Sequence, residues 1–261
     1  MKIGFIGGGN MAGAIVKGVL SSGLCEKSEI TVCDKNKEAL LKYEGVHTSE
    51  ENLDALSADV VVLAVKPNIL PLVLEEIKTH KTGAVFVSIA AGVKLATMKE
   101  ILGETAKIVR VMPNTPALVG EGMTVLATPD ASISEEDFKK VRAIFDSVGK
   151  TEVLKEEMIN TVTGISGSSP AYVYMMIEAM ADAGVRDGLS RETANRLSAQ
   201  AVLGAAKMVL ETGISPAVLK DMVCSPNGTT IEAVAELEKR GFRASIIEAI
   251  KKCNEKANKM G

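Results

Sequence analysis

Six short runs of apolar residues, rich in valine and isoleucine, mark the first half of the chain. They cover residues 2–6, 30–34, 59–65, 84–90, 107–112 and 123–127. Such runs are typical of strands that are covered on both faces, as in a parallel sheet. Stretches with helical periodicity lie between them, at 10–22, 36–43, 69–80 and 94–102. This alternation predicts βαβ units and a doubly wound α/β sheet.

The pattern changes near residue 150. Ser134, with Asp137 placed as a capping-box acid, opens a predicted helix that precedes the change. A last short strand is predicted at 151–154, and only helical stretches follow, at 170–184, 190–212, 215–223, 229–240 and 243–259. Serine before and glycine after such stretches are ordinary helix signals. We therefore predict an α/β domain over residues 1–152 and an all-α domain over residues 153–261.

The helix predicted at 190–212 has small residues in its middle, AVLGAA at 201–206. Small side chains let a second helix approach closely, either within one subunit or from a second copy. Long helices with little polar surface favour the second arrangement, and symmetric dimers are the commonest oligomers. We expect a homodimer formed through the helical domain, with tight packing inside one subunit as the alternative.

Composition excludes several classes of protein. The net charge of −3 and the aromatic content of 3% argue against nucleic-acid binding. The longest uncharged apolar run, 84–93, is far shorter than the ~20 residues of a membrane helix. The first residues predict no secretory signal. Four scattered cysteines and two histidines predict neither disulfides nor a metal site, and a cytoplasmic location is the simplest expectation.

A glycine-rich turn, IGGGNMAG at 6–13, follows the first predicted strand and opens the first predicted helix. Gly7, Gly9 and Ala12 fit the pattern G-x-G-x-x-G/A in the context that the dinucleotide fingerprint requires. Gly7 permits the tight turn, Gly9 lets a pyrophosphate approach the backbone, and Ala12 keeps the helix close to the strand. We predict a dinucleotide site here; a merely structural turn is the alternative.

Asp34 ends the second predicted strand. An acid at this place normally binds the adenosine ribose and repels a 2′-phosphate, which favours NADH. Lys35 and Lys37 follow directly and can attract the same phosphate. The predicted cofactor is therefore NADPH or NADH, and an ordinary turn acid is the alternative for Asp34.

A strong protein base is missing from the places where hydroxyacid dehydrogenases usually carry one. His47 lies in an early connection, His80 lies at a helix end, and the helix at 170–184 contains no lysine. Removal of a hydroxyl proton needs such a base. Reduction of a C=N bond does not, because an imine can be protonated before hydride arrives.

Seven segments, in their order and spacing, resemble the pyrroline-5-carboxylate reductases of proline biosynthesis over essentially the whole chain. They are IGGGNMA (6–12), AVKP (64–67), SIAAG (88–92), VMPNTP (111–116), SGSSPAY (166–172), DAGVRDGLSR (182–191) and SPNGTTIEA (225–233). Ser169 and Asn227 stand where the family usually has glycine. Asparagine tolerates positive φ, so the turn can survive, and Ser169 can cap the helix at Pro170. Either change can alter the shape of the pocket.

The resemblance implies a Rossmann-type, dinucleotide-binding domain followed by a helical dimerisation and substrate-binding domain. The active site would lie between the cofactor domain of one subunit and helices supplied partly by its partner, in a homodimer or a larger ring of dimers. Asn52 would reach the ribose, and Met112 to Asn114 would border the nicotinamide. The implied cofactor contacts are Ile6, Gly7, Gly8, Gly9, Asn10, Met11, Ala12, Asp34, Lys35, Asn52, Ala64, Val65, Lys66, Pro67, Ile89, Ala90, Ala91, Met112, Pro113 and Asn114.

The loop at 225–230 carries the implied substrate site. A glycine-containing turn that opens a helix presents successive N–H groups, which can hold a carboxylate. Thr230, the implied catalytic residue, would bond the ring nitrogen. Thr229 and Glu232 also match a T-x-x-E capping box, so a purely structural helix start is the alternative. The implied substrate contacts are Ser225, Asn227, Gly228, Thr229 and Thr230.

The leading hypothesis is reduction of 1-pyrroline-5-carboxylate to L-proline with NADPH or NADH, without a metal. The alternatives are another imine reductase or hydroxyacid dehydrogenase on the same fold, or a non-catalytic nicotinamide-binding regulator. Arg110, Arg186 and Arg191 can pair with carboxylates, but we expect structural or solvated ion pairs for them.

Overall fold

The computed structural model describes residues 1–80 and 82–259 and divides into two compact units. The first unit contains Met1–Ser168 and the C-terminal segment from Lys252, and the second contains Ser169–Lys251. Residues 260 and 261, which close the predicted second domain, lie outside the described residues. The boundary predicted at residue 152 therefore falls within the first unit.

Packing on the sheet explains why the first unit extends beyond residue 152. Ile159 and Val162 share an apolar cluster with strand residues Val125 and Ala127. The C-terminal segment is tied to the same region by hydrogen bonds, including one from Gly164 N to Asn254 Oδ1 at 3.0 Å. Helical character after residue 155 thus does not by itself mark a separate unit.

An eight-stranded sheet forms the centre of the first unit. Its strands are β1 (Ile3–Ile6), β2 (Ile30–Cys33), β3 (His47–Ser49), β4 (Val60–Leu63), β5 (Val85–Ser88), β6 (Ile108–Met112), β7 (Gly122–Ala127) and β8 (Gly149–Leu154). Their order across the sheet is β3-β2-β1-β4-β5-β6-β7-β8. The order reverses between β1 and β4, and open α/β sheets bind ligands at such a switch point.

Neighbouring strands are parallel except β6 and β7, which pair antiparallel. The expectation of a wholly parallel sheet is wrong for this pair. A parallel pair needs a crossover of about a dozen residues or more, and residues 113–121 are too few to provide it. The doubly wound α/β class itself is confirmed.

Helices cover both faces of the sheet. One apolar cluster contains Ile15 and Phe145, and the other contains Leu74 and Met98. The helices are α1 (Asn10–Ser21), α2 (Lys37–Leu40), α3 (Leu70–Ile77), α4 (Leu95–Leu102), α5 (Glu135–Asp146) and α6 (Ile159–Val162). Short 3₁₀ helices occupy Lys27–Glu29, Asn52–Ser57, Thr115–Val119 and Glu156–Met158, and a π-helix occupies Thr163–Gly167.

A predicted helix start is confirmed where a serine side chain caps the helix. Ser134 Oγ accepts a hydrogen bond from Asp137 N at 3.1 Å, which confirms the predicted start of α5. The Asp137 carboxylate binds Lys107 Nζ at 2.8 Å. The helix predicted at 36–43 is shorter, spanning Lys37–Leu40.

The second unit is all-α, as predicted. Its helices are α7 (Ser169–Arg186), α8 (Arg191–Thr212), α9 (Pro216–Val223), α10 (Thr229–Lys239) and α11 (Phe242–Asn258), whose end lies in the first unit. Ser190 Oγ accepts from Thr193 N at 3.2 Å and caps α8 as expected. Ser169 is the first residue of α7, almost directly after the π-helix, so it is not the cap that we predicted. No helix in residues 1–80 and 82–259 is long and apolar enough to cross a membrane.

Candidate active site

The glycine-rich turn joins the end of β1 to the start of α1. Gly7 has a φ of 102°, and a Cβ there would lie 2.5 Å from the carbonyl oxygen of Ala64. Gly9 is the N-cap of α1 and receives no side-chain cap. A Cβ at Gly9 would meet no heavy atom within 4 Å. The start of a long helix therefore presents free N–H groups to open space, which fits the phosphates of a dinucleotide.

Asp34 lies against this turn. Its Oδ2 accepts a hydrogen bond from Gly8 N at 2.7 Å, and its Oδ1 accepts one from Asn36 N at 2.8 Å. Lys35 Nζ lies 3.6 Å from Glu51 Oε2, and Lys37 pairs with Glu50. Asp34 therefore holds the glycine turn, a contact that the sequence did not predict.

The other segments predicted to hold the cofactor lie at the carboxyl ends of adjacent strands. Residues 64–67 follow β4, residues 89–91 follow β5, and residues 112–114 begin at the last residue of β6. Ala64 N donates to Ile6 O at 2.7 Å, next to the glycine turn. The carboxyl ends of parallel strands share one edge, so the structure brings these segments together.

Asn52, which is also predicted to bind the cofactor, makes its side-chain hydrogen bond to another residue of the protein. It is 5% exposed and lies in the 3₁₀ helix after β3. Its Nδ2 donates to Glu76 Oε2 at 2.8 Å. The predicted contact of Asn52 with the ribose stays a prediction.

Asn114 connects three backbone segments at the end of β6. Its Oδ1 accepts from Met123 N at 2.8 Å, and its Nδ2 donates to Ser166 O at 3.0 Å. Ser166 lies in the π-helix, and a Cβ at Gly167 would lie 2.7 Å from Met112 Cε. π-Helices often occur at functional sites. The sequence did not predict this π-helix, although the segment SGSSPAY marked the region as part of the family resemblance.

Arg110 has a structural role, as expected. It is 3% exposed, and its Nη2 donates to Asn160 Oδ1 at 2.8 Å. Its Nη1 lies 3.3 Å from Glu156 Oε1, which also accepts from Leu95 N at 2.7 Å. Burial lowers the pKa of Arg110, and Glu156 opposes that shift.

The remaining two arginines form ion pairs at the surface of the second unit. Arg191 pairs with Asp182, and Arg186 pairs with its neighbour Asp187. More than half of each arginine side chain is exposed. These contacts agree with the expectation of solvated ion pairs.

The loop at 225–230 forms a tight turn that opens α10. Gly228 N donates to Ser225 O at 3.0 Å, and Asn227 has a φ of 57°. Asn227 is the one non-glycine residue with positive φ in the described part of the chain. A central residue with positive φ after a proline is typical of a type II turn. The expectation that asparagine supports this turn is confirmed.

The capping box, which is the alternative interpretation of Thr229 and Glu232, does not form. Thr229 is already the first residue of α10, and the N-cap is Gly228, which makes no side-chain cap. A capping box requires Thr229 to be the N-cap, the position just before the helix, but Thr229 is already the first helical residue. The first N–H groups of α10 are therefore left without a side-chain cap, and they can bind an anion.

Two family models match the chain. The model described as pyrroline-5-carboxylate reductase dimerisation matches residues 156–260. The model described as NADP oxidoreductase, coenzyme F420-dependent, matches residues 2–92.

Similar proteins cover nearly the whole chain. A pyrroline-5-carboxylate reductase of Escherichia coli is 51% identical over 264 residues, which cover 99% of this chain and 98% of that protein. A crystal structure of Plasmodium falciparum pyrroline carboxylate reductase with NADP bound matches with a TM-score of 0.92 at 35% identity, covering 100% of this chain and 98% of that one. A pyrroline-5-carboxylate reductase structure from Coxiella burnetii matches with a TM-score of 0.91 at 37% identity and the same coverage.

Proposed function

The chain belongs to the pyrroline-5-carboxylate reductase family, and from this premise we propose that it reduces 1-pyrroline-5-carboxylate to L-proline with NADPH or NADH. The observation that carries the proposal is the helix start at the Ser225–Gly228 turn, which has no side-chain cap. It leaves N–H groups for a carboxylate in a chain that also has an open dinucleotide turn.

The glycine turn and the neighbouring strand ends hold the cofactor. The N–H groups at the start of α1 bind the pyrophosphate, because Gly9 leaves the approach open. Asp34 faces the adenosine ribose, residues 89–91 contact the cofactor, and residues 112–114 border the nicotinamide. When bound, the nicotinamide supplies the hydride that reduces the imine carbon.

The turn before α10 holds the substrate. The N–H groups of Thr229 and Thr230 bind the carboxylate, and the Ser225 hydroxyl adds a hydrogen bond. Thr230 is half-buried in the first turn of α10, and its hydroxyl bonds the ring nitrogen. An imine can accept its proton before reduction, so these residues need only bind and orient the ring.

We propose a homodimer that buries the apolar face of the second unit, and a larger ring of such dimers as a further level of assembly. Leu197 in α8 is 58% exposed, and Leu210 is 80% exposed. Exposed apolar surface of this kind marks an interaction site, and a family model for dimerisation covers these helices.

The four free cysteines are in keeping with a reducing cytoplasm.

Steady-state oxidation of reduced cofactor tests the proposed activity. The purified protein is assayed with NADPH and with NADH, alone, with 1-pyrroline-5-carboxylate and with other cyclic imines. In parallel, β-hydroxy acids are tested with NADP⁺ and with NAD⁺, because a hydroxy acid donates hydride to the oxidised cofactor. We expect oxidation with the pyrroline and the highest kcat/KM for it. A higher kcat/KM for another compound would favour a different reductase. Cofactor binding without turnover of any imine would favour a regulator.

A further inference from the structure

The peptide groups around Gly8 are held by two side chains from the connection after β2. Asp34 Oδ2 accepts from Gly8 N at 2.7 Å, and Tyr43 Oη donates to Gly8 O at 3.1 Å. The Tyr43 ring also packs against the turn, since a Cβ at Gly8 would lie 3.3 Å from Tyr43 Cε2. Three successive glycines have little conformational preference of their own, so such contacts decide their orientation.

Tyr43 is placed to make a durable contact. The residue is 6% exposed and belongs to the apolar cluster under α1. Burial raises the pKa of Tyr43 well above its ordinary value, and the charge of Asp34 adds to the effect. The hydroxyl therefore stays protonated and remains a donor. Lys42 Nζ also donates to Gly9 O, at 3.0 Å, but that contact is exposed to solvent.

We propose that Tyr43 is a positioning residue for the dinucleotide, an inference that rests on the cofactor site proposed at the glycine turn. A peptide bond is planar and trans, so its C=O and N–H groups point in opposite directions. By fixing the carbonyl of Gly8, Tyr43 directs the N–H of Gly9 away from itself and holds it ready for the pyrophosphate. Asp34 fixes the preceding peptide in the same way.

The test is Tyr43→Phe, which keeps the buried ring and removes the hydroxyl. Loss of one buried hydrogen bond is expected to raise the Kd and KM for the cofactor about 3- to 10-fold. The rise should be equal for NADPH and NADH, which share the pyrophosphate. We expect kcat and the KM for the pyrroline to stay unchanged. Lys42→Gln removes the exposed bond to the same turn and should raise the Kd less than Tyr43→Phe does, because solvent-exposed contacts of a charged group contribute little.

Two results would overturn the inference. One is a cofactor Kd in Tyr43→Phe equal to that of the wild type, whether or not the melting temperature of the cofactor-free protein falls. The other is an unequal loss for NADPH and NADH. Gly9→Val separates this failure from failure of the cofactor site itself. If Gly9→Val binds both cofactors as the wild type does, the proposed cofactor site is wrong; if it loses them while Tyr43→Phe does not, only the role of Tyr43 is wrong.

Discussion

Gly228→Ala is expected to weaken binding of the pyrroline without weakening binding of the cofactor. Gly228 has a φ of −88° and a ψ of 166°, which any residue can adopt, so the change adds no backbone strain. A Cβ at Gly228 would overlap Ser225 Oγ and would lie 3.1 Å from Ser225 O. The hydroxyl must therefore rotate away, and the carbonyl must shift slightly.

The size of the effect follows from the displaced hydroxyl. A hydrogen bond to a charged group contributes about 1.5–3 kcal/mol, which corresponds to roughly 10- to 100-fold in kcat/KM for the pyrroline. Ser225→Ala removes the same hydrogen bond and is expected to show a loss of similar size. The two changes act on one contact, so the double variant should fall no further than about 2-fold below either single variant.

The assay measures initial rates with saturating NADPH and varied pyrroline, together with the Kd of the cofactor. Gly83→Ala is the matched control, because a Cβ there meets nothing within 4 Å and no positive φ is involved. We expect the control to behave as the wild type, and the cofactor Kd to stay within about 2-fold for every variant. Wild-type kcat/KM in Gly228→Ala, or additive losses in the double variant, would refute the placement of the carboxylate at this turn.

Three further changes test separate parts of the molecule. Thr230→Ala is expected to lower kcat/KM for the pyrroline by about 10-fold or more with the cofactor Kd unchanged, while Thr230→Ser keeps most of the activity; full activity in the alanine variant would make Thr230 an ordinary helix residue. Asp34→Ser should raise the ratio of kcat/KM for NADPH over NADH, and an unchanged ratio would confine Asp34 to its bond with Gly8. The hydrogen bond from Lys107 lowers the pKa of Asp137 below its unfolded value, so the stability from this pair is complete above about pH 4 and is lost as pH falls through the folded pKa. The melting-temperature difference between wild type and Lys107→Met should therefore shrink below about pH 4, and a pH-independent difference would contradict this.

Most of the sheet could be predicted because its strands are buried on both faces. β1 and β4 are fully buried, and their sequences are uninterrupted apolar runs apart from Gly4. β3 could not be predicted, because His47 and Thr48 are exposed at the sheet edge and leave no apolar pattern. The antiparallel direction of β7 is also absent from the apolar pattern. It depends on the length of the connection before the strand.

The candidate site was predictable where chemistry depends on neighbouring residues. The glycine turn is such a case, because its motif, strand and helix are contiguous in sequence. The hydrogen bond from Tyr43 to Gly8 was not predictable, because 35 positions separate the two residues. The capping box at Thr229 failed for another reason: the helix begins one residue earlier than the motif requires, and sequence patterns do not fix helix ends to a single residue.

Isotope transfer tests the central claim, direct reduction of the pyrroline ring, most directly. The enzyme is given 1-pyrroline-5-carboxylate and NADPH or NADH with both C4 hydrogens of the nicotinamide replaced by deuterium, and the proline is analysed by mass spectrometry and NMR. We predict one proline per cofactor oxidised, with one deuterium on the ring carbon that is bonded to nitrogen and does not bear the carboxylate. Proline without deuterium, or oxidation of the cofactor without proline, would contradict it.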